Sequence, residues 1–159
     1  MRLTYRILAF AIAGLVGVQA ASHAWGSAGL GAFVANGGVV DKSMMENTTG
    51  ALPFPEVLGI LIHGMNGGIV IPVVALALLV VSFFTRVRGA IAWGVIVLTT
   101  VAVQLTLGFN GHALPILGLF HGLNALVLFA VAVRAAGVVR RAAVELADAD
   151  DATPAEARV

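Results

Sequence analysis

The chain has 159 residues, 60% of them hydrophobic and 11% charged, with a formal net charge of +1. A water-soluble domain carries roughly a quarter charged residues, so the composition excludes one, and the near-neutral balance offers nothing to nucleic acid. With no cysteine, disulfides, thiolate metal sites, Fe–S clusters and covalent c-type haem attachment are excluded, leaving His, Met, Asn, Gln or carboxylate to hold any cofactor.

Four apolar stretches are each long enough to cross a hydrocarbon core of about 30 Å. The first runs from about Ile7 to Trp25, after Arg2 and Arg6. A basic start also fits a signal peptide, with Val18-Gln19-Ala20 as a cleavage site. However, Val16-Gly17-Val18-Gln19 is echoed by Val101-Ala102-Val103-Gln104 in the third stretch, which favours a retained span. Residues 27–52 read as a long connection, either a lid over a site or a loose interfacial loop. Within it, Gly29 to Val34 is apolar enough to lie along a membrane surface, and Asp41, Lys42 and Glu46 supply the charges. Asn47-Thr48-Thr49 fits the glycosylation pattern, a motif common by chance.

The second span starts after Pro53 and Pro55, which suit a first helical turn, and ends near Phe84. Pro72 inside it should loosen or kink the helix. The third span runs from about Ala90 to Phe109. A short turn, Asn110 to Pro115, leads into the fourth, Ile116 to about Val133, and makes the last two spans antiparallel neighbours. Residues 1–140 thus form one transmembrane domain. From Arg134 onward the chain loses its apolar character and reads as a short helical extension, then, over residues 141–159 with Glu145, Asp148, Asp150 and Asp151, as a disordered acidic cytoplasmic tail. Arg2, Arg6, Arg86, Arg88, Arg134, Arg140 and Arg141 flank one side, whereas Lys42 alone flanks the other. The positive-inside rule therefore expects a multi-pass plasma-membrane protein with both termini cytoplasmic, in contact with the lipid bilayer. Trp25 and Trp93 suit interfacial anchors.

The chemistry gathers around two echoing segments, Leu61-Ile62-His63-Gly64-Met65-Asn66-Gly67 and Leu119-Phe120-His121-Gly122-Leu123-Asn124-Ala125. Intramembrane histidines are costly and demand an explanation. Both lie about two turns from a proline-marked helix start, at matched depth below the outer face. Neutral imidazoles facing each other are suited to hold one haem iron as a low-spin b-type centre. On this reading Gly64 and Gly122 clear space for a flat macrocycle. Asn66 and Asn124, three residues on, share the histidine face. Gln19 and Gln104 need partners inside the bundle and either fix the histidine tautomers or clasp the spans together. The alternatives left open for the histidine pair are interhelical hydrogen bonding and another metal or proton pathway. His23 and His112 read as interfacial histidines near the outer ends of the first and third spans, or as contacts to a propionate, a second cofactor or a quinol-like reductant. Glu56 reads as a solvated helix-start carboxylate or an outer proton acceptor. Met44, Met45 and Met65 form no copper motif.

Gln in span one, His at the outer end of span two, Gln in span three, His121-x-x-Asn124-Ala125-Leu126 in span four, and Gly29 to Phe33 after span one together resemble an uncharacterised family of small four-helix membrane proteins found in actinobacteria and other bacteria. The resemblance covers most of residues 2–136. More distantly the arrangement is similar to one half-bundle of heme A synthase, which implies that His63 and His121 hold haem. Here there is one bundle, no cysteine pair in the first outer loop, and Glu56 stands seven rather than about three residues before its histidine, so only haem binding carries over. The expected fold is an all-α, four-helix transmembrane bundle built as two related helical hairpins. The expected function is electron transfer through haem b, alone, as a homodimer or with a redox partner protein. A haem-modifying or quinol-linked enzyme and a cofactor-free scaffold or small transporter subunit are the alternatives.

Overall fold

Apolar residues recurring every three to four positions favour helices, because such a helix can bury one face along its length. The computed structural model describes residues 1–42, 44 and 52–151, the last helix beyond Val139 by its backbone alone. Its long helices are α1 (Arg2–Ala35), α2 (Val57–Ser82), α3 (Ala90–Asn110) and α4 (Ile116–Asp151). α2 is α-helical over Val57–Met65 and Ile71–Ser82, with a π-helical turn, Asn66–Val70, between the two parts. All four helices are long and apolar enough to cross a membrane, α4 through Ile116–Val139. Large apolar side chains such as Phe10, Val73, Phe84 and Leu126 lie exposed on the outside, consistent with a membrane protein. The all-α class holds among the described residues.

α1 packs against α2 and α4, and α3 packs against the same two, so α2 and α4 lie diagonally across the bundle. The buried positions repeat. Tyr5, Ala9, Ile12 and Val16 on α1 recur at the same spacing as Ala90, Gly94, Val97 and Val101 on α3. Ile71, Ala75, Leu78 and Ser82 on α2 recur as Leu128, Ala132, Ala135 and Val139 on α4. The two even-numbered helices differ by one residue. Asn124 precedes the buried Leu128 by four positions, whereas Asn66 precedes the buried Ile71 by five. The π turn absorbs the extra residue. Ile71 N–H reaches back five positions to Asn66 O, which returns Ile71 to the inward face. Pro72 follows at once, with no N–H to lose from the ladder, so the expected disturbance at Pro72 takes the form of a π turn just ahead of it.

The solid core occupies the arginine-flanked half of the bundle. Tyr5, Ile12, Leu78, Val97 and Leu128 are fully buried there, and the Tyr5 hydroxyl donates to Ala90 O at 3.1 Å. Arg134 lies over the Trp93 ring, 5.7 Å from its centroid. In the opposite half, α1 and the Val57–Met65 part of α2 bury only Ser22, Gly26, Gly29 and Gly59, all small. A Cβ on Gly59 would come 2.8 Å from Gly26 N, so the two backbones meet directly.

That contact explains a departure from expectation. α1 does not end near Trp25; it continues to Ala35, roughly 50 Å in all. The Gly29 to Val34 segment is therefore its last two turns, not a surface-lying piece of loop. Gly29 seats the Glu56 side chain, and the Phe33 and Phe54 rings stand 5.2 Å apart. The connection shortens to residues 36–56. Met45, Glu46 and Asn47-Thr48-Thr49 lie outside the described residues, as does the lid or loop reading that depends on them. α4 continues unbroken to Asp151, through much of the segment expected to be an acidic tail. Ala, Arg, Glu and Leu there are all strong helix formers. Residues 152–159 lie outside the described residues.

Candidate cofactor site

Above the solid core the four helices line a partly open cavity of about 530 Å³, within the range usual for ligand pockets. Its floor is the last core layer, with one residue from each helix: Val16, Ile71, Val101 and Leu128. Its polar wall is built from Gln19, His63, Gln104 and His121, while His23 and His112 line its outer part. The sequence separates these residues widely. The bundle collects them because Gln19 and Gln104 continue the buried stripes of α1 and α3, and His63 and His121 continue those of α2 and α4.

Each histidine is held in the same way. His63 Nδ1 lies 3.1 Å from Gln19 O, and His121 Nδ1 lies 3.0 Å from Gln104 O. A carbonyl oxygen only accepts, so Nδ1 carries the proton in both rings and Nε2 holds the lone pair. Asparagine completes each clasp. Asn66 Nδ2 donates to Leu15 O at 3.0 Å and to Gln19 Oε1 at 3.1 Å. Asn124 Nδ2 donates to Thr100 O at 3.1 Å and to Gln104 Oε1 at 2.7 Å. Leu15 and Thr100 stand one helical turn before their glutamines, so the motif is a carbonyl, a glutamine one turn on, and a His-x-x-Asn from the adjacent helix. The asparagine fixes the glutamine side chain, and the glutamine's main chain fixes the imidazole.

The two clasps bring the rings within reach of one another. The His63 and His121 centroids are 6.0 Å apart, with the planes at 58°. With metal–imidazole bonds of about 2 Å, rings on opposite sides of one metal ion have centroids roughly 6 Å apart. The clasps differ in detail. Gln104 Nε2 donates to His121 O at 3.0 Å and also approaches His121 Nε2 at 3.2 Å. Asn66 Oδ1 is buried without a hydrogen-bond partner. The counterpart of His23 on α3 is Gly108, whose missing side chain leaves room for the His121 ring. On α1 that place is taken by the His23 ring, 4.9 Å from His63.

All four residues expected to flank a cofactor on the α1/α3 and α2/α4 stripes thus reach the cavity: Gln19, His63, Gln104 and His121. Asn66 and Asn124 act from behind, through the glutamines. Gly64 lines the cavity, whereas Gly122 is not among its lining residues and faces open space. The other glycines lining the cavity are Gly67, Gly68, Gly108, Gly111 and Gly118; Gln19 and His121 fill the space beside Gly67 and Gly108, whereas that beside Gly68 and Gly118 is open. Nothing in a one-dimensional His-Gly pattern distinguishes these. His23 is more than an isolated interfacial residue, since its ring neighbours His63. Glu56 packs over Gly29 and does not line the cavity. Among the described residues no three His, Asp or Glu side chains converge in a way that could hold a bare metal ion. The donor set is a pair of neighbouring imidazoles in a largely apolar, glycine-lined space, and two imidazoles alone do not complete the coordination of a metal ion.

Comparison of the chain with protein-family models, with curated proteins and with solved structures found no match.

Proposed function

We propose that the chain is a membrane-embedded, cytochrome-like protein that binds one b-type haem through His63 and His121 and serves electron transfer. One observation carries the reading: two imidazoles on diagonal helices, each with Nδ1–H committed to a main-chain carbonyl, stand 6.0 Å apart beside a cavity of about 530 Å³. Main-chain hydrogen bonds of this kind set the tautomer and orientation of metal-bound histidines. Haem, when bound, supplies one-electron chemistry. His63 and His121 would hold the haem iron, and the floor of Val16, Ile71, Val101 and Leu128 gives the inner end of the cavity an apolar surface. Binding requires Gln104 to give up its 3.2 Å contact with His121 Nε2 while keeping its bonds to His121 O and Asn124. The similarity of the paired histidines to one half-bundle of heme A synthase supports this reading. The recurring clasps and buried stripes support a bundle made of two related helical hairpins. The arginine distribution supports insertion in the plasma membrane with both termini cytoplasmic and the cavity toward the outside.

The Gln104–His121 contact also favours a second reading. A clasp already satisfied by protein groups is interhelical glue in a cofactor-free scaffold or transporter subunit. Visible absorption of the detergent-purified protein, oxidised and then reduced with dithionite, separates the two. Haem ligation by both histidines predicts a sharp Soret band that shifts on reduction, with resolved α and β bands. A protein that stays colourless after haem is added belongs to the second reading.

A further inference from the structure

The two halves of α2 keep different company. Ile71–Ser82 packs against both α1 and α3, whereas Val57–Met65 packs against α1 and makes no extended contact with α3. The cause is local. Gly59 brings the outer half of α2 onto the backbone of α1 at Ser22 and Gly26, and the π turn lets the outer half follow α1 while the inner half stays wedged in the core. α2 and α3 therefore part at the level of the cavity. The residues bordering the gap line that cavity and are themselves exposed: Gly64 and Gly68 on α2, and Phe109 on α3, which is 72% exposed. A Cβ built on Gly64 or Gly68 would meet nothing within 4 Å, so the α2 border has open space beside it.

We infer that this gap is a lateral portal, through which the cavity takes its flat, apolar ligand directly from the hydrocarbon of the membrane and not from the aqueous end. The inference rests on the haem reading above and adds the route. A portal at membrane depth bordered by glycine and phenylalanine offers no side-chain hydrogen bonds to water and little steric hindrance to the edge of a macrocycle. The aqueous end is the competing route. It passes His112 and Gly118, which also line the cavity, and a Cβ on Gly118 likewise meets nothing within 4 Å.

The test is the rate at which the Soret band grows when apo-protein in phospholipid vesicles is mixed with haem-loaded vesicles. Gly68→Leu narrows the α2 border, and Phe109→Ala opens the α3 border. The portal predicts uptake at least tenfold slower in Gly68→Leu and several-fold faster in Phe109→Ala. Should Gly68→Leu fail to fold, Phe109→Ala still decides. Uptake indifferent to Phe109→Ala overturns the portal. Wild-type protein that takes up no haem overturns the haem reading itself, which is a different result from haem uptake by the wrong route.

Discussion

The chemistry of this protein turns on which nitrogen of each imidazole carries the proton. Gln19 O and Gln104 O settle that for His63 and His121, and Asn66 and Asn124 hold the glutamines in place. The asparagines are not equivalent. Asn124 makes two interhelical bonds, at 3.1 and 2.7 Å. Asn66 also makes two but buries Oδ1 without a partner. Interhelical hydrogen bonds among apolar helices are worth about 0.6 kcal/mol each, so Asn124→Ala should cost about 1 kcal/mol. Asn66→Ala should cost less, because the same change removes an unsatisfied acceptor. Equilibrium unfolding of the two variants in mixed detergent checks the order, and a larger loss for Asn66→Ala contradicts it. At this scale the sequence was informative wherever a motif occurred twice. His63 with Asn66, His121 with Asn124, Gln19 and Gln104 all stood out as pairs. His23 pairs with His112 in the sequence, but its counterpart on α3 is Gly108, so that pairing could not place its ring against His63.

Element lengths were set by packing that local pattern does not announce. α1 outlasts its apolar span because Gly26 and Gly29 offer α2 a surface without side chains, and Gly59 meets it from the other side. Glycine read in isolation argues for a loop; three glycines spaced to face one another argue for a helix crossing, and only the partner helix distinguishes the two cases. Gly59→Leu should therefore destabilise the bundle by about 1–3 kcal/mol, the usual cost of overpacking, whereas Gly31→Leu, with nothing within 4 Å of its Cβ, should be neutral. Thermal melts in detergent compare the two, and equal melting temperatures would argue against the crossing. The π turn was legible only in part. Pro72 marked the place, but the form of the disturbance follows from counting: five positions from Asn66 to Ile71 against four from Asn124 to Leu128.

The whole molecule divides into a solid half and a hollow half. Four helices, α-class and of membrane-crossing length, were expected from hydrophobic run lengths, and the short 111–115 turn joins α3 to α4 as expected. The hollow could not be read from the sequence, because it depends on where α2 leaves α3, and that is a property of pairs of helices. The division suits the proposed role. On the proposed reading, the filled half beneath the cavity gives the histidines a packed base, and the open half would receive the cofactor. The account stands or falls on whether His63 and His121 both ligate iron. The most direct measurement is a haem titration of wild type, His63→Ala, His121→Ala and His23→Ala, followed by absorption in both redox states. The account predicts one six-coordinate low-spin haem per wild-type chain, its loss or conversion to a five-coordinate spectrum in His63→Ala and in His121→Ala, and retention of the wild-type spectrum in His23→Ala. An unchanged bis-histidine spectrum in His121→Ala would contradict it.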